Sequence, residues 1–391
     1  MVDFSLNEKD QEIIQEIRKK GELLRKYARY YDEHEGEKIP DELSEAKDFD
    51  HIAFMNMERM NVEGATGPTT YGIFSTIHDS WGDPMMTLRL RQAGLGNASL
   101  AAAGTDDQQE KWMSKLLAMA NTEPSCGSDS KAIETTAVKD GDDFILNGEK
   151  IFVTDGARCD GVVVWATLDK SKGRGAIKAF VVMKDTPGFE IAKKEEKMGI
   201  RASDTAAFIF KDCRVPKENL LGMDDAIKTG GGGFKGLMKT FNLTRPHVAA
   251  QGTGCVLGMH EFAVEELKKE GVEVDWEAGI HRQSAIQEKL IELESQLEAA
   301  ALTTLRAAWL ADVGKVNNLE SAICKAKGGD VSRSGAQIAI EILGALGISH
   351  DYMVERWFRD ARITDIYEGT GEINRLVTAR AILNYSSADL M

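Results

Sequence analysis

The sequence has few cysteines, no long apolar run and no excess of positive charge. Its five cysteines are scattered over 391 residues, with no C-x-x-C pair and no spacing to histidine that would suit zinc. We therefore predict reduced thiols and neither a disulfide framework nor a metal site. The cysteines are Cys126, Cys159, Cys213, Cys255 and Cys324.

The remaining absences concern membranes and nucleic acids. No apolar run approaches the roughly 20 residues that a helix needs to cross a bilayer. The opening residues Met1 to Ser5 lack the basic-then-apolar pattern of a signal peptide. The formal net charge of -15 disfavours binding to nucleic acid and to anionic membrane surfaces. We expect a cytoplasmic protein with no membrane insertion and no nucleic-acid partner.

The N-terminal part of the chain has the apolar spacing of helices. With 391 residues, 42% of them hydrophobic, two or three packed globular regions are expected. Helical spacing runs from Leu6 to Tyr31 and is interrupted at Gly64–Pro68. The run Gly104–Gln108 has the pattern of a turn followed by a helix N-cap, which predicts another helix after it.

The middle of the chain changes to short β-branched and aromatic runs. Strands are predicted at Glu134–Val138, Asp143–Val153, Gly161–Thr167 and Ala176–Met183, with turn residues between them. Successive strands without intervening helices predict an antiparallel sheet, closed as a small barrel or sandwich.

Helical spacing returns after Gly230. Apolar residues step by three or four from Ile286 to Leu305, which predicts a long helix with one buried stripe. Further long helices are predicted over residues 239–269 and 318–343. We expect these helices to pack as a bundle, which gives an α+β protein ordered as helices, sheet, helices.

The segment Ile366–Thr370 carries a carboxylate, Glu368, directly before Gly369 on a predicted turn between helices. A ligand can reach such a carboxylate, and the glycine lets a flat molecule approach the backbone. In the alternative interpretation Thr370 is only a helix N-cap and Glu368 is a surface charge. The motif taken alone does not decide between the two.

Seven further sequence blocks, spread over most of the chain, form a recognisable pattern together with this motif. In order they are Thr122–Asp129, Leu146–Thr154, Lys197–Thr205, Val215–Gly222, Gly233–Lys235, Thr244–Pro246 and Glu355–Ala361. Together with the Tyr-Glu-Gly-Thr motif, and in this order and spacing, they resemble the acyl-CoA dehydrogenase family.

This resemblance implies a fold, a cofactor and partners. It implies an N-terminal all-α domain (residues 1–118), a central antiparallel β-barrel or sandwich domain (119–229) and a C-terminal four-helix bundle (230–391). It also implies non-covalent FAD, an acyl-CoA substrate, electron-transfer flavoprotein as the acceptor, and a homotetramer.

The resemblance also assigns roles to single residues. Glu368 matches the catalytic base. The family positions that contact the flavin ring of FAD correspond here to Thr122, Ser128, Phe152 and Thr154. The flavin contacts beside the base correspond to Gly369 and Thr370. The family positions that contact the CoA arm correspond here to Ser128, Asn242 and Arg245.

Two positions depart from the family pattern. Where the family has Arg and Gln that contact the FAD of a neighbouring subunit, this chain has Glu273 and, in the run Glu341–Gly347, Glu341. An acid close to a pyrophosphate is repulsive. We nevertheless predict that Glu341 and Gly344 contact FAD. In one alternative the neighbour-side contacts to FAD come from cations elsewhere, such as His281 and Arg282. In the other, a second chain of a hetero-oligomer completes the site.

The acyl end of the substrate is expected near the segment His78–Pro84. Trp81 is a candidate to shorten the pocket, and Asp79 and Asp83 are candidates to bond a polar or cyclic acyl group. The alternative is a solvated loop with one packed tryptophan.

The leading interpretation is FAD-dependent α,β-dehydrogenation of an acyl-CoA, in which Glu368 removes the α-proton and the β-hydride goes to flavin N5. One alternative is an enoyl-CoA reductase that runs the same site in reverse. The other is a supporting subunit of a hetero-oligomeric acyl-CoA dehydrogenase.

Overall fold

The computed structural model describes residues 8–35, 37, 67–90, 93–223 and 232–385. The chain forms two compact units. The helical unit comprises Met1–Leu88, Met198–Ala202 and Arg245–Met391, and the sheet unit comprises Arg89–Lys197 and Ser203–Thr244. The domain boundary predicted at residues 229 and 230, and most of the predicted interruption at Gly64–Pro68, lie outside the described residues.

The helices follow the predicted periodicity. The helix predicted from Leu6 is observed as Glu8–Glu33, and the long helix with one buried stripe as Ala285–Asp312. The α-helices are α1 Glu8–Glu33, α2 Pro68–Gly82, α3 Pro84–Leu90, α4 Leu95–Ala103, α5 Asp106–Trp112, α6 Gly232–Lys269, α7 Ala285–Asp312, α8 Asn318–Asp330, α9 Ala336–Leu343, α10 Ala345–Ile348, α11 Val354–Ala361 and α12 Gly371–Leu383.

The sheet unit is built on seven strands, in the order β1-β4-β2-β3-β7-β6 with β5 paired to β4. They are β1 Leu117–Ala120, β2 Thr136–Asp140, β3 Asp143–Thr154, β4 Gly161–Thr167, β5 Ile177–Met183, β6 Phe189–Lys194 and β7 Thr205–Pro216. The predicted antiparallel pairing holds for β2–β3, β3–β7, β4–β5 and β6–β7.

Two pairings of the sheet are parallel, namely β1 with β4 and β2 with β4. Parallel neighbours need a connection of about a dozen residues or more, and the chain between the end of β1 and the start of β4 supplies it. Strand β4 is buried along its whole length, which fits its run of β-branched residues. The interior between the strands is filled by aromatic side chains, among them Phe144, Phe180 and Phe208.

The helical unit has its core where α6, α7, α9 and α11 pack together, around Val256, Leu293 and Trp357. Helix α6 packs closely because of two glycines. A Cβ on Gly254 would lie 2.0 Å from the carbonyl oxygen of Ile77, and one on Gly252 would lie 2.0 Å from the Oγ of Ser332. The predicted helix over 318–343 is continuous but contains one π-helical turn, Val331–Gly335, between α8 and α9.

Two local features agree with the sequence, namely the helix predicted after the run Gly104–Gln108 and the Thr370 N-cap of the alternative interpretation. Thr105 caps α5, and its side chain accepts a hydrogen bond from the backbone N–H of Gln108. Thr370 caps α12 in the same way, through the N–H of Ile373. None of the helices in the described ranges is long and apolar enough to cross a membrane.

Candidate active site

Glu368 lies on a turn with unusual backbone geometry. The turn joins the 3-10 segment Arg362–Asp365 to helix α12. Glu368 has φ +57° and Gly369 has φ +91°, so both lie in the left-handed region. A non-glycine residue there is strained and persists only where its surroundings hold it. Glu368 is half-buried, and Thr370 is the N-cap of α12.

Three side chains hold the carbonyl groups of this turn. Arg245 Nε donates to the carbonyl oxygen of Glu368 at 3.4 Å. Lys325 Nζ donates to the carbonyl oxygen of Gly369 at 3.0 Å, and Asn374 Nδ2 donates to the same oxygen at 2.8 Å. Arg245, Lys325 and Asn374 are all buried. The turn of residues 366–370, which carries the candidate base and is named the base-bearing turn, is thus fixed from several sides.

Sequence reasoning missed Lys325 and Asn374. The sequence did contain a signal that Lys325 is buried. It stands among the small residues Ala322, Cys324 and Ala326 of α8, which are typical of a packed helix face. Burial lowers the pKa of Lys325 to about 8. Tyr367 adds a further link, since its hydroxyl hydrogen-bonds the side chain of Gln251 on α6.

In the sheet unit, Phe152 is presented by an irregularity of strand β3. The register between β3 and β7 shifts between Lys150 and Val153, and Phe152 has φ +55°. Bulges of this kind change the direction in which a side chain points. Phe152 is 60% exposed, which leaves an aromatic face free for a ligand to stack on.

The loop before β2 carries Thr122 and Ser128, and a buried ion pair holds it. Lys150 Nζ donates to Glu123 Oε1 at 2.7 Å and to the carbonyl oxygen of Asn121 at 3.0 Å. The Glu123 carboxylate also accepts the backbone N–H groups of Glu134 and Thr135. Burial raises the pKa of the Glu123 carboxyl, but Lys150 and these hydrogen bonds outweigh burial, and the pKa is lowered.

The ring-side residues form a donor set that fits a flat, polar-edged ring. Thr122 and Thr154 are half-buried, and Ser128 is exposed, so each is available to a ligand. The N–H of Ile151 donates to the carbonyl oxygen of Thr122 at 2.9 Å, which ties the loop to the strand that bears Phe152. An exposed aromatic face, together with hydroxyl groups that can bond a polar ring edge, suits an isoalloxazine ring. Asn242, predicted to contact CoA, lies half-buried on α6.

The two acids that depart from the family pattern have cationic partners. Glu341 pairs with Lys289 at 2.5 Å, and Glu273 pairs with Lys268 at 3.0 Å. The hydrogen bond from Lys289 lowers the pKa of the Glu341 carboxyl. The repulsion expected from Glu341 alone is therefore offset by a charge 52 positions away in sequence. Gly344, with φ +56°, ends helix α9 nearby in the chain.

The segment around Trp81 differs from the solvated loop of the alternative prediction. It is the end of helix α2, and Trp81 is buried. The guanidinium groups of Arg18 and Arg25 lie over the Trp81 ring at 4.5 and 4.1 Å. The indole N–H donates to Glu261 at 2.7 Å. Trp81 is thus part of a packed polar cluster.

The structure gives the two candidate acyl-contacting carboxylates internal partners. Asp83 is fully buried, pairs with Arg356 and accepts the backbone N–H of Met86 at 2.8 Å. Asp79 is also buried and lies 3.3 Å from Lys20 Nζ. The prediction that Asp83 contacts the acyl group is not supported by this arrangement, because its oxygens already hold α3 and α11. No group of three or more metal-binding side chains occurs in the described part of the chain.

Comparison with known proteins agrees with these features. Residues 118–213 match the middle domain of acyl-CoA dehydrogenase and residues 231–383 match its C-terminal domain. The NADH-dependent acryloyl-CoA reductase of Anaerotignum propionicum is 33% identical over 94% of this chain and 95% of its own length.

Solved structures show the same fold. Butyryl-CoA dehydrogenase from Megasphaera elsdenii superimposes with a TM-score of 0.82 at 33% identity, over 98% of this chain and 100% of that one. A chain from a structure described as the electron transferring flavoprotein of Acidaminococcus fermentans gives 0.80 at 34% identity, over 98% and 100% of the two chains. The chain belongs to the acyl-CoA dehydrogenase family and is an FAD-dependent oxidoreductase.

Proposed function

We propose that this protein dehydrogenates an acyl-CoA thioester at its α,β-bond, with the Glu368 carboxylate as the base. The α-proton beside a thioester carbonyl is only weakly acidic, so its removal needs a carboxylate in a fixed position. The observation that carries the proposal is the strained turn at Glu368, whose carbonyl groups are held by Arg245, Lys325 and Asn374.

The remaining chemistry is divided between the chain and its cofactor. FAD, when bound, supplies the acceptor for the β-hydride at its N5 atom. The backbone N–H of Glu368 is a candidate donor to the thioester oxygen, on which negative charge develops as the α-proton leaves. Strain at φ +57° is consistent with a backbone that is fixed in advance for this task.

We further propose which residues bind the cofactor and the substrate. Thr122, Ser128, Phe152 and Thr154 would contact the flavin ring, with Gly369 and Thr370 beside the base. Ser128, Asn242 and Arg245 would contact the CoA arm. Glu341 and Gly344 would face the FAD of a neighbouring subunit in a homotetramer, with Lys289 offsetting the acidic charge.

The proposed electron acceptor is an electron-transfer flavoprotein. The support is the similarity to a chain from a structure described as an electron transferring flavoprotein. That similarity covers nearly the whole chain at a TM-score of 0.80. Asp79 remains a weaker candidate for contact with the acyl group, because it lies in an internal ion pair with Lys20.

A second function, enoyl-CoA reduction, is favoured by one relative. The protein named acryloyl-CoA reductase (NADH) is 33% identical and matches 94% of this chain. The same site would then run in reverse, with the protonated Glu368 returning a proton to the α-carbon. A supporting role in a hetero-oligomer is less favoured, because Glu368 is present and Glu273 and Glu341 both have cationic partners.

The experiment that tests the proposal is anaerobic visible spectroscopy of the FAD-loaded protein with a panel of straight, branched and cyclic acyl-CoAs. We expect one class to bleach the flavin, and Glu368→Gln to slow bleaching by at least about 100-fold with FAD retained. Equal bleaching by Glu368→Gln would place the base elsewhere. Faster turnover of enoyl-CoA with a reduced acceptor would favour the reductase.

A further inference from the structure

We propose that Lys325 is a positioning residue for the base: its buried ammonium group holds the Gly369 carbonyl and thereby fixes the direction of the Glu368 carboxylate. This inference deepens the proposed function and rests on it. Lys325 would contact neither the thioester nor the cofactor. It would act through the backbone of the base-bearing turn.

The first support is geometric. Lys325 lies on α8 and is fully buried. Its Nζ atom lies 3.0 Å from the carbonyl oxygen of Gly369, the residue that directly follows the base. Asn374 Nδ2, from α12, donates to the same oxygen at 2.8 Å. The carbonyl is therefore held between two helices, and the peptide between Gly369 and Thr370 has little freedom to rotate, which restrains the turn directly after Glu368.

The second support is the strain of the turn. Glu368 at φ +57° and Gly369 at φ +91° occupy a region that a chain leaves unless its surroundings define it fully. Removing one donor from the Gly369 carbonyl would let the turn relax. A misplacement of about 1 Å at a reacting group lowers a rate by roughly 100-fold.

The third support is the free energy required to bury a charge. An unpaired ammonium group in a protein interior costs several kcal/mol, so an apolar side chain would serve packing better. Burial lowers the pKa of Lys325 to about 8, while the carboxylates of Asp365 and Glu368 act in the opposite direction. Lys325 thus remains a cation at neutral pH, next to the base.

Its charged and titratable neighbours determine the expected pH effect. Asp365 from the preceding 3-10 turn, Glu368 from the base-bearing turn, Arg245 from α6 and Cys324 from α8 face Lys325. Of the two cations in this group, Lys325 is the one that donates a hydrogen bond to the carbonyl oxygen of Gly369. Its removal takes positive charge from the surroundings of Glu368, which favours the protonated, inactive form of that carboxyl.

The test compares FAD-loaded wild type with Lys325→Met, which keeps the side-chain length and removes the charge and the donors. Lys327→Met is the matched control, since Lys327 is half-buried on the same helix. We expect kcat to fall about 10- to 100-fold in Lys325→Met, with KM changed less than about threefold. The acidic limb of its pH profile should move to higher pH, while Lys327→Met should behave as wild type.

A second readout follows proton removal without turnover. 3-Thiabutyryl-CoA has an acidified α-proton and a sulfur atom at the β-position, so it offers no β-hydride. Its enolate beside oxidised flavin gives a long-wavelength absorption band. We expect Lys325→Met to need a higher pH than wild type for this band.

Asn374→Leu separates position from charge, because it removes the other donor to the Gly369 oxygen without changing any charge. We expect a lower kcat and an unshifted acidic limb. An unchanged kcat and pH profile in Lys325→Met would overturn the proposal. A lower melting temperature with an unchanged kcat and pH profile would also overturn it. If Lys325→Met does not hold FAD, an unchanged kcat in Asn374→Leu would overturn it.

Failure of the proposed function would look different. In that case wild type would show neither bleaching by acyl-CoA nor a band with 3-thiabutyryl-CoA, and Glu368→Gln would resemble wild type. Failure of the Lys325 proposal leaves both wild-type signals intact and sensitive to Glu368→Gln. The two results are therefore distinguishable in one set of measurements.

Discussion

Lys289 on α7 and Glu341 on α9 form an ion pair with 2.5 Å between Nζ and Oε2. Gln337 also donates to the Glu341 carboxylate, at 3.1 Å. The pair matters because the sequence resemblance predicts Glu341 at a position where the family has a neutral residue that contacts the FAD of a neighbouring subunit. The carboxylate is therefore presented together with a cation, and an acid at this position does not by itself argue against FAD.

Removing the cation should weaken FAD binding. Lys289→Met leaves the carboxylate of Glu341 unpaired, so it would repel the cofactor pyrophosphate. We expect at least about tenfold weaker FAD binding at low salt, measured by titration of the apoprotein, with a smaller effect at high salt. Adding Glu341→Gln to Lys289→Met should restore affinity. If Lys289→Met binds FAD as wild type does, Glu341 does not face the cofactor.

Phe152 should be needed for FAD and not for folding. In Phe152→Gly, relief of the positive φ, worth about 1–2 kcal/mol, is offset by about 0.5–1 kcal/mol of extra chain entropy. The melting temperature of the apoprotein should thus change little, while FAD binding falls because the stacking face is lost. Phe152→Trp is the control and should keep FAD. Undiminished FAD binding by Phe152→Gly would remove this residue from the ring-side set.

The Glu123–Lys150 pair should make the sheet unit sensitive to acid. The pKa of Glu123 is lowered in the folded chain, so the unfolded chain binds more protons near the ordinary value of 4.5. Glu123 therefore contributes to the free energy of unfolding above pH 4.5, and this contribution is lost as the pH falls through the pKa of Glu123 in the folded chain.

Glu123→Gln tests this directly. At neutral pH it leaves Lys150 buried without a charge partner, and we expect a loss of about 3–5 kcal/mol. The difference from wild type in thermal unfolding should shrink in acid, because wild-type Glu123 is then protonated as well. Glu190→Gln, at an exposed position of β6, is the control and should have no effect at either pH. A difference that stays constant with pH would contradict the argument.

Asp83 should be structural and not a determinant of substrate choice. Asp83→Asn removes the charge that pairs with the fully buried Arg356, and we expect about 3 kcal/mol of destabilisation by chemical denaturation. Asp185→Asn, at an exposed position, should be neutral. The order of preference among acyl-CoAs should stay as in wild type. A changed preference with unchanged stability would instead make Asp83 an acyl contact.

Some of the site was accessible from sequence because its signals are local. Gly369 at φ +91° and Thr370 as an N-cap follow directly from the short-range preferences of their residue types. The long helices and the predicted strands followed from apolar periods of about 3.6 and 2 residues, which each element determines for itself. Strands β1, β6 and β7 were not predicted, and β6 is mostly exposed and carries little apolar signal.

By itself the sequence therefore determined the family, the order of the helical, sheet and helical regions, and the identity of the candidate base. Only the tertiary structure decided which charges are paired and which are buried. Lys325 meets Gly369 over 44 positions, Lys150 meets Glu123 over 27, and Lys289 meets Glu341 over 52. The physical reason is that the effect of a charge depends on its partner and its burial, and chain packing sets both at a distance that no local pattern encodes.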